Sequence, residues 1–310
     1  MNVEQRPVLS PTDDAELEAL RLSLAKALAE VERADDLRSA ATQVLAEHIK
    51  TGRAKIAAQL QDNPRETRSA LEQQTALTDR VVIAATDVAT TWLTPNPNPT
   101  KSEEITVLAV GGYGRAEMAP VSDVDLLFLT PYKQTAWGER VIEAVLYILW
   151  DLKLKVGQAV RTVDECLRLG QTDITIRTAL LEHRFLTGAP KAADELRRRL
   201  WEELFVKTGP QFIEAKLEER ADRHKRQGGS RYLLEPNVKE GKGGLRDLQT
   251  LYWIAKYLHN VSTPADLVAK GVFTQDEFEI FERAEGFLWR VRTHLHLISG
   301  RALEQLTFDM

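Results

Sequence analysis

Two aspartates one residue apart, Asp123 and Asp125, follow a glycine pair, Gly111 and Gly112, in the run LAVGGYGRAEMAPVSDVDLLFL at 108–129. Side chains alternate along a strand, so both carboxylates face the same side. Two like charges held together beside apolar surface are costly unless a cation neutralises them. A divalent ion that prefers oxygen does this, and magnesium suits the pair better than zinc because no soft ligand stands nearby; manganese is the substitute. The glycines permit a backbone turn that a Cβ would resist and let amides approach a ligand closely. Exposed amides suit phosphate oxygens. Arg115 adds a permanent cation and Ser122 a hydroxyl beside the first aspartate. Together these residues describe a site for a nucleoside triphosphate with its metal.

The flanks supply the elements that must hold them. Ile105 to Val110 and Val124 to Leu129 are apolar runs that read as buried strands, with Pro120 and Ser122 favouring a turn between them. Gln134 to Asp151 carries an apolar helical stripe, and Lys155 to Arg161 reads as a third strand bounded by Gly157. Upstream, residues 12–94 show helical spacing, as in Leu17, Leu20, Leu24, Leu28 and Val31. Asn63 followed by Pro64 predicts a helix starting there with asparagine as its cap. The segment Pro95 to Thr100 cannot continue a helix and marks the entry to the core.

Downstream, residues 174–227 read as helical throughout, ended by Gly228 and Gly229. The loop Glu235 to Gly244 carries Asn237, Lys239 and Lys242 directly before Leu245, Arg246 and Asp247. A glycine-rich loop entering a helix can bind anions through its amides and the helix dipole, although a solvent-exposed turn explains the same residues. Aromatics from Tyr252 and Trp253 onward have the spacing of core helices.

Composition narrows the class. A chain of 310 residues with 43% hydrophobic and 28% charged residues is globular, with material for one large domain or two smaller ones. A net charge of −5 does not favour nucleic acid as a partner. No stretch has the length of a membrane helix, and a lone cysteine, Cys166, suits a reducing cytoplasmic compartment. Cys166 in an apparent helix reads as a packing residue. His294 and His296 point to different helix faces, so they do not share a metal.

The spacing GG, about ten residues, then DxD resembles the signature of the DNA polymerase β-like nucleotidyltransferase superfamily. The fuller form, GGYGR with SDVDLLFL, is similar to one branch, the bacterial PII uridylyltransferases, also called uridylyl-removing enzymes. Residues 149–168 (LWDLKLKVGQAVRTVDECLR), 233–248 (LLEPNVKEGKGGLRDL) and the terminal TFDM carry the same resemblance. It implies an α+β, mostly helical fold with a small mixed nucleotidyltransferase sheet flanked by helices. The expected division is an N-terminal helical region at 1–94, a core at 95–170 and a helical domain at 171–310.

The resemblance further implies transfer of UMP from UTP to a tyrosine hydroxyl of the PII signal protein, with Asp123 and Asp125 on magnesium. Gly111, Gly112 and Ser122 then bind phosphate oxygens, Arg115 stabilises charge, and Lys239 and Arg246 become contacts to the triphosphate or to the catalytic domain. In this superfamily a third carboxylate joins from a later strand, yet Lys155 to Arg161 carries none. Asp173 is the next candidate, but it reads as the cap of a helix from Ile174 to Phe185. None of the six histidines precedes an aspartate, so the metal-dependent hydrolase domain of that family, and the ACT domains after it, are not expected here. Three rival readings stay open: adenylyl transfer to glutamine synthetase, a non-catalytic nucleotide-binding module, and a purely helical scaffold.

Overall fold

The computed structural model describes residues 15–132, 134–229, 232–261 and 263–309. The first fourteen residues of the expected N-terminal helical region, and the methionine of TFDM, lie outside them. The leucine ladder forms three helices, α1 (Ala15–Ala29), α2 (Leu37–Asp62) and α3 (Thr67–Val88). A π-helical stretch, Ala89–Leu93, prolongs α3. Leu17, Leu20, Leu24 and Leu28 are all buried, each contributing on the order of 2 kcal/mol. The start of α3 departs from expectation, because Asn63 caps no helix at Pro64. Its side chain instead donates to Glu66 Oε1 and accepts from the Arg65 amide, and the helix begins at Thr67. Such a local turn satisfies the same polar groups and so competes with capping.

β1 (Thr106–Ala109) leads through the short helical turn α4 (Gly111–Gly114) toward β2 (Val124–Leu129), its antiparallel partner. α5 (Ala136–Asp151), capped by Thr135 accepting from the Gly138 amide, carries the chain across. β3 (Val156–Arg161) can therefore lie parallel to β2, placing Asp125 opposite Gly157. α6 (Val163–Thr172) and α7 (Ile174–Leu181) follow. The expected helical run then breaks: residues 184–187 form β4 (Arg184–Thr187), antiparallel to β1. Four residues are too few to show a period, whereas the β1 edge offers backbone groups that would otherwise lack partners. Among the described residues the sheet order is β3-β2-β1-β4, small and mixed.

The remaining helices are α8 (Pro190–Arg199), which a π-helical stretch continues to Phe205, then α9 (Gly209–Arg226), α10 (Leu245–His259), α11 (Asp266–Ala269) and α12 (Gln275–Ser299). Gly228 and Gly229 follow α9 as expected, both at positive φ. None of the described helices is long and apolar enough to cross a membrane.

Alternation along β2 divides two cores. Val124, Leu126 and Phe128 join Val107, the α1 leucines, Val81 and Val145 on one face. Leu127 and Leu129 turn to the other, with Leu108, Cys166, Leu196, Phe212 and Tyr257. By parity Asp125 belongs to this second face, the one covered by α6 to α10. Burial pushes the Cys166 thiol up to about 12, which fits a packing role.

Candidate active site

The turn leaving β1 and the acidic end of β2 open into a cleft of about 170 Å³ against the helical part of the chain. Its lining includes Gly112, Arg115, Ser122, Asp123, Asp125, Lys155, Lys239, Arg246, Arg292 and Glu304. Gly111 does not line it but borders Asp125 from behind. The fold thus gathers residues separated by well over a hundred positions. A larger cavity, about 710 Å³, lies among α1, α2 and α3 and contains none of these side chains.

Asp125 sits between two glycines for a steric reason. Gly111 has φ +59°, and a Cβ there would lie 3.2 Å from Asp125 Oδ2. At Gly157 a Cβ would lie 2.4 Å from Asp125 Oδ1, closer than real contacts allow. Burial raises the Asp125 carboxyl above its usual range, and the neighbouring Asp123 adds to this while Lys239 opposes it. Asp123 is more exposed, with the Lys155 amine 3.6 Å away. Two hard carboxylates on one face, with the space beside Asp125 kept open by glycine, fit magnesium bound by one or two carboxylates plus phosphates. No group of three or more His, Cys, Asp or Glu side chains gathers for a metal among the described residues. Asp173 does not fill the gap, since its carboxylate accepts from the amides of Thr175 and Ile176 at 2.7 and 3.0 Å, capping α7.

Arg115 is placed differently from a free phosphate ligand. Its side chain is only 8% exposed, with Nε 2.8 Å from Glu117 and 3.8 Å from Glu182. It also stands over the Trp253 ring at 5.5 Å. Trp253 is core, as its spacing predicts, yet Lys216 and Arg246 face the same ring. This indole is therefore the apolar floor beneath a cluster of cations.

The glycine-rich loop also differs from an amide cradle. The amides of Leu245, Arg246 and Asp247 donate to the carbonyls of Val238, Lys239 and Gly244, and the Gly243 amide to Asp247. An anion is consequently met by side chains here. Lys239 reaches into the cleft from the loop, its amine pulled below the usual range by burial and then by Arg292. Arg246 is tethered to Glu240 at 3.2 Å and Gln249 at 3.0 Å, and burial lowers it too.

Sequence reasoning missed Arg292 and Glu304. Burial favours the neutral form of Glu304, but the neighbouring His296 ring and the hydrogen bonds from Arg292 hold its carboxyl well below the usual range. His294 and His296 do face apart: His296 is buried beside Glu304, whereas His294 approaches the Pro64 carbonyl. No signal in the sequence joins Glu304 to a loop some sixty residues away, because the link is a tertiary clasp.

A helix-flanked mixed sheet, with a glycine turn after β1 and a carboxylate pair opening β2, is a nucleotidyltransferase-like fold. Comparison with known families agrees in two pieces. Residues 211–310 match the family described as GlnD PII-uridylyltransferase, and residues 6–161 the one described as glutamate-ammonia ligase adenylyltransferase. The bifunctional uridylyltransferase/uridylyl-removing enzyme of Cereibacter sphaeroides is 60% identical over 298 residues, covering 94% of this chain and 32% of the relative. The same-named protein of Ruegeria pomeroyi is 58% identical, covering 91% and 31%, and that of Azospirillum brasilense 50% identical, covering 89% and 30%. The chain belongs to the bifunctional uridylyltransferase/uridylyl-removing enzyme family. It spans about a third of the length of the curated relatives it matches.

Proposed function

We propose that the chain transfers UMP from UTP to a tyrosine hydroxyl of the PII nitrogen-regulatory protein, releasing pyrophosphate, with magnesium held by Asp123 and Asp125. One observation carries the reading: the carboxylate pair faces a cationic wall of Lys239, Arg246 and Arg292 across a single cleft, in a chain whose relatives are named uridylyltransferases. The proposed compartment is the cytoplasm, and uridylyl removal is assigned to the part of the relatives that lies outside this chain.

The tyrosine oxygen attacks the α-phosphorus as the in-line bond from that phosphorus to the pyrophosphate oxygen breaks, and the hydroxyl proton passes to solvent water. Magnesium, when bound, supplies Lewis-acid polarisation of the phosphate and neutralises developing charge. Gly112 and Ser122 receive phosphate oxygens, while Gly111, which does not line the cleft, leaves room for the Asp125 carboxylate. Lys239 and Arg246 orient the outer phosphates. Arg115 adds a fixed positive charge behind the turn while its ion pairs hold that turn in place.

The test incubates the purified chain with PII, Mg²⁺ and either labelled UTP or labelled ATP, and resolves the modified PII by mass. UMP addition is expected, and Asp123→Ala or Asp125→Ala should each lower it about a thousandfold or more, the scale of lost metal stabilisation. Persistent labelling in both variants would remove the site from consideration. Addition of AMP in place of UMP would favour the adenylyl reading, which the match of residues 6–161 supports.

A further inference from the structure

Facing Asp123 and Asp125, three cationic side chains converge from separate elements: Lys239 from the loop, Arg246 from the first turn of α10, and Arg292 from α12. Like charges gathered at a half-buried wall repel one another. In the free chain part of that charge is neutralised from within. Glu304 accepts from Arg292 Nε and Nη2 at 2.8 Å each, a bidentate pair, and from Lys239 Nζ at 3.5 Å. The buried His296 lies 3.7 Å from the same carboxylate.

The backbone fixes this placement. The Glu304 carbonyl accepts from the Val238 amide at 2.8 Å, and the Leu306 amide donates to the Pro236 carbonyl at 3.0 Å. Asn237 and Gln305 pair as an antiparallel bridge between these bonds. The segment after α12 is thus clasped to the very loop that carries Lys239, and Glu304 lines the cleft as a result.

We propose that Glu304 is an internal counter-anion that sets the affinity of this cleft for a polyphosphate: it holds Lys239 and Arg292 in the free chain and must share them with incoming phosphates. The inference rests on the nucleotide-site reading above. The bidentate Arg292 pair is the firm arm, and the longer Lys239 contact is the one a phosphate takes over. A carboxylate left beside a polyanion weakens binding, which favours release of pyrophosphate after transfer. A purely structural role for Glu304 predicts the reverse, since removing it would loosen the cations and weaken binding.

The experiment is calorimetric binding of metal-free inorganic tripolyphosphate to the full chain and to Glu304→Gln, at fixed ionic strength. Glutamine keeps the length and one acceptor oxygen for Arg292 but removes the charge. Binding is expected to tighten about tenfold, the scale of one close charge contact at a partly buried site, and adding Lys239→Gln should abolish the gain. If Glu304→Gln does not melt cooperatively, Glu304→Asp serves instead; one carbon shorter, it retains Arg292 but loses Lys239, and a smaller tightening is expected. Unchanged or weaker binding in the folded variant, with wild type binding normally, overturns the counter-anion. If wild type binds neither tripolyphosphate nor UTP with Mg²⁺, the nucleotide-site reading falls as well.

Discussion

Asp125 owes its position to a residue it meets only across the sheet. Its register partner Gly157 leaves room for the carboxylate, and a Cβ there would intrude to 2.4 Å of Oδ1. Gly157→Ala should therefore turn Asp125 away from Asp123 and lower the proposed uridylyl transfer about a hundredfold, the cost of a small misplacement at a reacting centre. Because Gly157 is exposed on the edge strand, thermal melting should move by only a few degrees. Full activity together with an intact melt would show that the carboxylate's position does not matter. The pairing of Asp123 with Asp125 was legible from alternation alone. The purpose of Gly157 was not, since in sequence it only bounds a strand.

Among the elements, α7 decides a question that the sequence raised about Asp173. A carboxylate that accepts two amides of the first turn is a cap. Asp173→Ala should cost about 1 kcal/mol in urea unfolding and leave the transfer rate unchanged, and Asp173→Asn should restore the stability. Loss of transfer with stability preserved would instead make Asp173 the third carboxylate. β4 shows the opposite limit of legibility. Arg184 to Thr187 has no alternation long enough to read, and it becomes a strand because the β1 edge accepts it. The loop before α10 was legible as glycine-rich, but its amides donate to its own carbonyls, to the Asn237 and Asp247 side chains and to the Glu304 carbonyl, leaving Lys239 and Arg246 to face the cleft.

Across the whole molecule, the helical layer of α1 to α3 shares a core with the sheet and is tied to the glycine turn by a buried ion pair. Asp79 on α3 accepts from Arg184 on β4 at 2.7 and 3.0 Å, and Arg184 also donates to the Tyr113 carbonyl at 3.2 Å. Asp79→Ala leaves the guanidinium buried with the Tyr113 carbonyl but no counter-charge, and it should cost about 3–5 kcal/mol by denaturant unfolding. Adding Arg184→Met should recover most of that loss, because the uncompensated charge is then gone. Equal stability of the single and double variants would mean that the pair does not couple the layers. This link joins the N-terminal helices to the turn that borders the candidate site.

The chemistry was written locally: glycine turn, carboxylate pair and strand alternation all act within about twenty residues, where backbone sterics and side-chain period settle the outcome. The α+β class and the three sequence-read strands follow that reading, whereas Lys239 and Arg246, more than a hundred residues from the aspartates, were expected beside them only through the family resemblance. What the tertiary structure decided depends on long-range complementarity, which no local period encodes. β4 completes an edge, Arg115 turns inward to Glu117 and Glu182, and Glu304 is clasped beside Lys239, 65 residues earlier in the chain. Buried charge must find its counter-charge wherever the fold brings one, and only the folded chain shows which partner that is.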